Sequence, residues 1–134
     1  MARHAGGCRC GAVRFSVSAD PHFAAICHCS DCRRASGASF LAFVGFDRDD
    51  VRFEGGECCC YGEAPVSRSF CGLCGAPIAY RDQRLADRIF FVLGAMDEPG
   101  RYAPQEQSFV GEKLPFACLM VDLPGHEATS VPRP

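Results

Sequence analysis

The stretch "CHCSDCRRASG", residues 27–37, brings Cys27, Cys29 and Cys32 within six positions and sets Arg33 and Arg34 directly after them. Thiolates are soft metal ligands, and three of them are one short of a closed tetrahedral zinc site. Three protein ligands, with the fourth position left to water or substrate, is the arrangement of a catalytic zinc. The alternatives for the fourth position are His28, which would close a structural centre, and Cys58 or Cys60. Alternation along a strand ending here puts Cys27 and Cys29 on one face and His28 on the other, which weighs against His28. Arg33 and Arg34 are candidates to hold an anionic substrate through charge-assisted bonds to a carboxylate; the plain alternative is a solvated doublet on a short helix. Lys113 is a weaker candidate for that role, and Asp31 is the nearest carboxylate that could act as a base.

Eleven cysteines occur in all. Cys71-x2-Cys74 lies in "FCGLCGAP", a tight turn whose glycines permit positive φ, and Cys8-x-Cys10 is flanked by Gly6, Gly7 and Gly11. Neither pair suffices alone, and together they make one zinc site of four thiolates. A disulfide scaffold is disfavoured by the odd count, the close spacings and the absence of an export signal. Cys58-Cys59-Cys60 has no ligand spacing and reads as small buried or half-buried apolar residues, as does Cys118 in its apolar stretch.

Something must position these groups, and short strands are the natural elements. A chain of 134 residues is expected to form one domain, with its core at about residues 6–127. Alternation in "GAVRFSV" (11–17) sets Val13, Phe15 and Val17 on one face. The continuous apolar runs "SFLAFVGF" (39–46) and "RIFFVLG" (88–94) suit strands covered on both faces. Further strands are expected over 22–28, 51–57, 58–62, 66–70, 77–81, 107–111 and 116–121, punctuated by Gly, Pro and Asp as in an all-β domain. One helix is expected at Ser30 to Ser36, capped by Ser30 and closed by Gly37. Its first turn carries Cys32, where free N–H groups favour a thiolate. A helical turn is expected at Met96 to Gly100, and the tail "ATSVPRP" reads as frayed.

Composition narrows the function. The net charge of −2 comes from 14 basic and 16 acidic residues without a basic block, so the footprint of a nucleic-acid binder is missing. No 18-residue apolar run suggests a membrane span, and the first residues lack a secretory signal, which favours the reducing cytoplasm.

The three segments "GGCRCGAVRF", "CHCSDCRRASGASF" and "FCGLCGAPIAY", in this order, resemble the glutathione-dependent formaldehyde-activating enzyme family. The resemblance extends loosely through "SFVGEKLPF" and "DLPGHE", covering residues 6–127. It implies a mainly β, sandwich-like β-tent fold with one or two short helices. It also implies two zinc ions: a structural one on Cys8, Cys10, Cys71 and Cys74, and a catalytic one on Cys27, Cys29 and Cys32. The implied activity is that of a carbon–sulfur lyase, condensing formaldehyde with glutathione to S-hydroxymethylglutathione. The chain departs from the family where a histidine usually precedes "FV" and a tryptophan follows the proline; here stand Gln107-Ser108 and Phe116. The natural thiol and aldehyde are therefore left open. A non-enzymatic, zinc-stabilised binding module is the alternative, and a fourth protein ligand on the cysteine triad is the feature that would distinguish it.

Overall fold

The computed structural model describes residues 2–55, 58–117 and 123–134. Cys118 and most of the strand expected over 116–121 lie outside them, and Phe116 and Ala117 are not in a strand. The described strands are β1 (His4–Gly7), β2 (Val13–Val17), β3 (Phe23–Cys27), β4 (Leu41–Asp47), β5 (Val51–Gly55), β6 (Cys58–Tyr61), β7 (Val66–Cys71), β8 (Pro77–Asp82), β9 (Arg88–Val92) and β10 (Glu106–Ser108). The one α-helix among the described residues, α1 (Ser30–Ser36), joins β3 to β4. Three strands form one sheet in the order β1-β2-β5, and seven form another in the order β10-β3-β4-β9-β8-β7-β6. All neighbours are antiparallel except β10, which runs parallel to β3. This is the mainly β, β-tent arrangement.

The large sheet is apolar on both faces, which explains its continuous hydrophobic runs. On one face Val44, Phe46, Ile89 and Phe91 pack with Val13, Phe15 and Val17 of the small sheet. Phe15 stacks on Phe91 with ring centres 3.8 Å apart, and Phe46 meets the same ring edge-on. On the other face Phe43 and Phe90 pack with Cys27, Cys32 and Leu41. Strand alternation at Phe90-Phe91 thus serves two cores at once. The first holds the sheets together, and the second underlies the functional side.

Several local expectations change. β1, "HAGG", has no apolar alternation and exists because it pairs with β2. Gly6 is required there, since a Cβ would strike the Phe15 ring and the Ala95 carbonyl oxygen. The cap of α1 is Cys29, not Ser30: Cys29 keeps extended geometry and its Sγ accepts from the Cys32 N–H, while Gly37 closes the helix at φ 72° as expected. In place of one turn at 96–100 there are 3₁₀ turns at Leu93–Ala95 and Pro99–Arg101, the second opened by the fixed φ of proline. β10 ends at Ser108 because Phe109 takes a left-handed conformation, φ 54°. Cys59 and Cys60 are exposed rather than buried, because β6 is the edge strand and only β7 flanks it. The tail is docked rather than frayed: Ala128 accepts from the Phe109 N–H at 3.0 Å, and the Ser130 N–H donates to Ser108 Oγ at 3.0 Å.

Candidate metal centres and the adjoining cavity

The turns after β1 and after β7 end at the same place and present four thiols to one another. The sulfurs of Cys8, Cys10, Cys71 and Cys74 all lie within 4.8 Å of one another. Cys8 and Cys10 are 3.5 Å apart, and Cys10 and Cys71 are 3.8 Å apart. Four thiolates about 2.3 Å from one tetrahedral ion stand roughly 3.8 Å apart, so the donor set fits a single metal ion. Each turn aims backbone N–H groups at sulfur, from Val13 to Cys8 at 3.2 Å and from Leu73 and Cys74 to Cys71 at 3.4 and 3.5 Å. The Val13 N–H is the main reason that the Cys8 thiol is pulled down to about 6. Gly11 and Gly75, at φ 84° and 76°, let the two chains turn this tightly.

The second cluster comes from one continuous stretch. Cys27 closes β3, Cys29 caps α1, and Cys32 sits in the first turn of α1. Their sulfurs also lie within 4.8 Å of one another, with Cys27 and Cys29 at 3.4 Å. Bonds from the Cys27 thiol, then from Cys32, lower the Cys29 thiol pKa, and the Cys27 thiol is raised by the same contact. Among the described residues no fourth cysteine, histidine, aspartate or glutamate joins this trio. His28 points elsewhere, its Nε2 lying 2.9 Å from Gln107 Oε1 in a buried contact. Cys60 lies 3.7 Å from Ser69 Oγ, and neither it nor Cys58 reaches the trio.

A residue that sequence reasoning passed over completes this site. Arg68 of β7 is buried and reaches Asp31 Oδ2 at 2.7 Å and Cys32 Sγ at 3.5 Å. Burial works against its charge, but those bonds to Asp31 and Cys32 outweigh it and raise its pKa. The signal was present in "VSRSF": Arg68 occupies the same strand face as Val66, an inward position where an arginine needs a partner. Asp31 is accordingly engaged by Arg68.

The trio opens on a cavity of about 410 Å³ lined by Phe23, Phe43, Phe90 and Phe109, with Arg68, Arg84 and Arg133 among its polar groups. Ser108, the tail residues Thr129, Ser130 and Val131, and the acidic residues Asp31 and Glu112 also line it. Ser108, at one of the positions where the sequence departs from the family pattern, therefore faces the cavity. Arg33 and Arg34 do not line it. The Arg33 guanidinium is taken up by the carbonyls of His28 at 2.7 Å and Glu112 at 2.8 Å. Arg34 is exposed beside a separate depression with Ser30 and Leu114. Lys113 is absent from both linings.

Comparison with known proteins agrees with this architecture. A Halomonas elongata protein named for glutathione-dependent formaldehyde activation is 29% identical over 119 residues, covering 82% of this chain and 76% of its own length. A crystal structure of a Rhodobacter sphaeroides protein superposes with a TM-score of 0.56 at 26% identity, over 69% of this chain and 87% of that one. The family model described as "Glutathione-dependent formaldehyde-activating enzyme" matches residues 3–112, a span that holds both thiol clusters and Arg68. With most of its length matched, the chain belongs to the glutathione-dependent formaldehyde-activating enzyme family.

Proposed function

We propose that the chain is a zinc-dependent carbon–sulfur lyase that joins formaldehyde to glutathione. The observation that carries this reading is the trio's open side: three thiols converge, no fourth protein ligand is present among the described residues, and a cavity begins there. A binding module closed by four protein ligands would not look like this. The reaction adds RS–H across the carbonyl of H₂C=O. A carbon–sulfur bond forms, the carbonyl π bond breaks, and the thiol proton ends on oxygen, giving RS–CH₂–OH.

In this reading Cys8, Cys10, Cys71 and Cys74 hold a structural zinc, and Cys27, Cys29 and Cys32 hold a second one. Zinc at the trio would supply Lewis acidity, favouring the thiolate form of an added thiol and polarising an aldehyde oxygen. The protein's own residues do the rest. Arg68 sets a positive charge against the Cys32 sulfur and fixes the first turn of α1 through Asp31. The phenyl groups of Phe23, Phe43, Phe90 and Phe109 give the cavity apolar walls that limit water beside the thiols. Arg33 steadies the backbone at His28 and Glu112, and Arg34 offers a positive charge outside the cavity. None of the described cysteines is paired in a disulfide, which suits a reducing compartment such as the cytoplasm.

Formaldehyde and thiols also combine without a catalyst, so the test is exchange at equilibrium. Two-dimensional exchange NMR of glutathione, formaldehyde and S-hydroxymethylglutathione should show faster interconversion when zinc-loaded protein is added. An exchange rate unchanged at stoichiometric protein rejects the reaction.

A further inference from the structure

The same cavity is bordered by a second cluster, which the reaction chemistry alone leaves unexplained. Asp82, the last residue of β8, has a fully buried side chain and collects donors from several directions. Arg84 gives it Nε at 2.9 Å, Nη2 at 2.8 Å and its backbone N–H at 3.0 Å. Arg133, arriving from the docked tail, adds Nε at 2.8 Å, and the Tyr80 hydroxyl donates at 3.3 Å. Two guanidinium groups thus face one carboxylate, leaving one positive charge in surplus. A guanidinium has five N–H donors. Arg84 commits two of them to Asp82, while Arg133 commits one to Asp82 and one to the Val131 carbonyl. Neither fork is used up by these bonds among the described residues, and both residues line the same cavity as the cysteine trio.

The trio and this cluster are within reach of one small ligand. The guanidinium carbons of Arg68 and Arg133 lie 5.1 and 5.9 Å from the centre of the Tyr80 ring, so they are at most about 11 Å apart. Arg68 touches Cys32 at 3.5 Å, which puts the first of these carbons beside the trio. An extended peptide advances about 3.5 Å per residue. A carboxylate one or two residues from a thiol therefore has this reach.

We propose that Arg84 and Arg133, held in place by Asp82, form a carboxylate-binding subsite in the cavity that opens on Cys27, Cys29 and Cys32, and so select an anionic thiol over a neutral one. This rests on the thiol-addition reading and supplies what that reading lacks, a reason for a thiol that carries carboxylates. Planar forks match carboxylate oxygens, and Asp82 orients them before the ligand arrives. Arg133 belongs to residues 123–134, so the docked tail is a part of the specificity element rather than an appendage.

The experiment compares glutathione with its diethyl ester, which keeps the thiol and loses both negative charges. Calorimetric titration of the metal-loaded protein should show glutathione binding about tenfold or more tighter than the ester, as charge-assisted bonds imply. Arg84→Gln with Arg133→Gln should remove most of that preference and leave the ester's affinity as it was. Arg84→Lys with Arg133→Lys, which keeps the charge but not the fork, should restore part of it. Equal binding of the two ligands to the unaltered protein overturns the subsite whether or not the variants fold, and so does a glutamine double variant that keeps the preference. Exchange that is accelerated equally for glutathione and for the ester leaves the reaction standing and removes the subsite. A strong preference without accelerated exchange does the reverse.

Discussion

The two thiol clusters use the same chemical group for opposite ends. The quartet is assembled from two turns that end distant strands, and every sulfur meets another from the same closed set. The trio is drawn from one stretch of six residues, and its open side faces a cavity with apolar walls and guanidinium groups. In the quartet, backbone N–H groups are the main company of the sulfurs. In the trio a charged side chain, Arg68, stands against Cys32. A closed set whose removal would separate two strand ends is suited to holding the fold. An incomplete set supported by a counter-charge is suited to exchanging ligands.

The sharpest way to break this contrast is to remove one sulfur from each cluster. Cys71→Ser should abolish stable folding or solubility, because structural zinc contributes on the order of 10 kcal/mol in small metal domains. Cys32→Ser should give a folded protein that retains one metal ion per chain and loses the accelerated exchange. Thermal melting and metal analysis read both outcomes. If the two variants unfold alike, the trio is structural as well and the division of labour fails.

A smaller effect is expected at Arg68. Arg68→Met fills the same space without charge, and metal retention at the trio should fall about tenfold to a hundredfold, as for other residues that support a ligand. Competition with a chelator should show the quartet unchanged. Equal loss from both clusters would mean that Arg68 supports the sheet rather than the site.

The smallest effect concerns acid. The Arg84 guanidinium beside Asp82, with Arg133 behind it, holds this carboxyl well below the usual carboxylate range in spite of burial. Its folded value lies below its unfolded value near about 4, so its contribution is complete above that pH and is lost as pH falls through the depressed value. Hydrogen exchange at Ser130 and Phe109, whose N–H groups hold the tail, should therefore stay slow through mild acid and quicken only below it. Asp82→Asn should quicken both amides already at neutral pH and leave the Cys71 turn as protected as before. Unchanged protection in that variant would show that the tail is held by its other contacts.

The parts written as spacing were legible in the sequence. Gly-flanked C-x-C and C-x2-C pairs, strand alternation at Val13, Phe15 and Val17, and the apolar runs of β4 and β9 are local patterns with local causes. The parts made by distant partners were not. The tail "ATSVPRP" has the composition of a loose end, and it docks because Ser108, Phe109 and Asp82 happen to stand where its backbone and Arg133 arrive. β1 has almost no intrinsic strand character and is imposed by β2. Arg33 and Arg34 are adjacent to the trio in sequence, yet adjacency along a helix is not adjacency in space. A seven-residue helix turns its fourth and fifth positions away from the cavity that its first turn borders.

The separation of the quartet's halves also orders events during synthesis. Cys10 and Cys71 are 61 positions apart, so the quartet cannot close until more than half of these residues, through Cys71 and Cys74, have been made. The trio is whole as soon as Cys32 is made, long before Arg68 exists to steady it. Loop-closure entropy grows only slowly with length, so the long loop delays the quartet in time far more than it weakens it at equilibrium. On the proposed division of roles, a nascent chain offers the open thiol trio to metal before the quartet can close, and the tail that carries Arg133 docks later still.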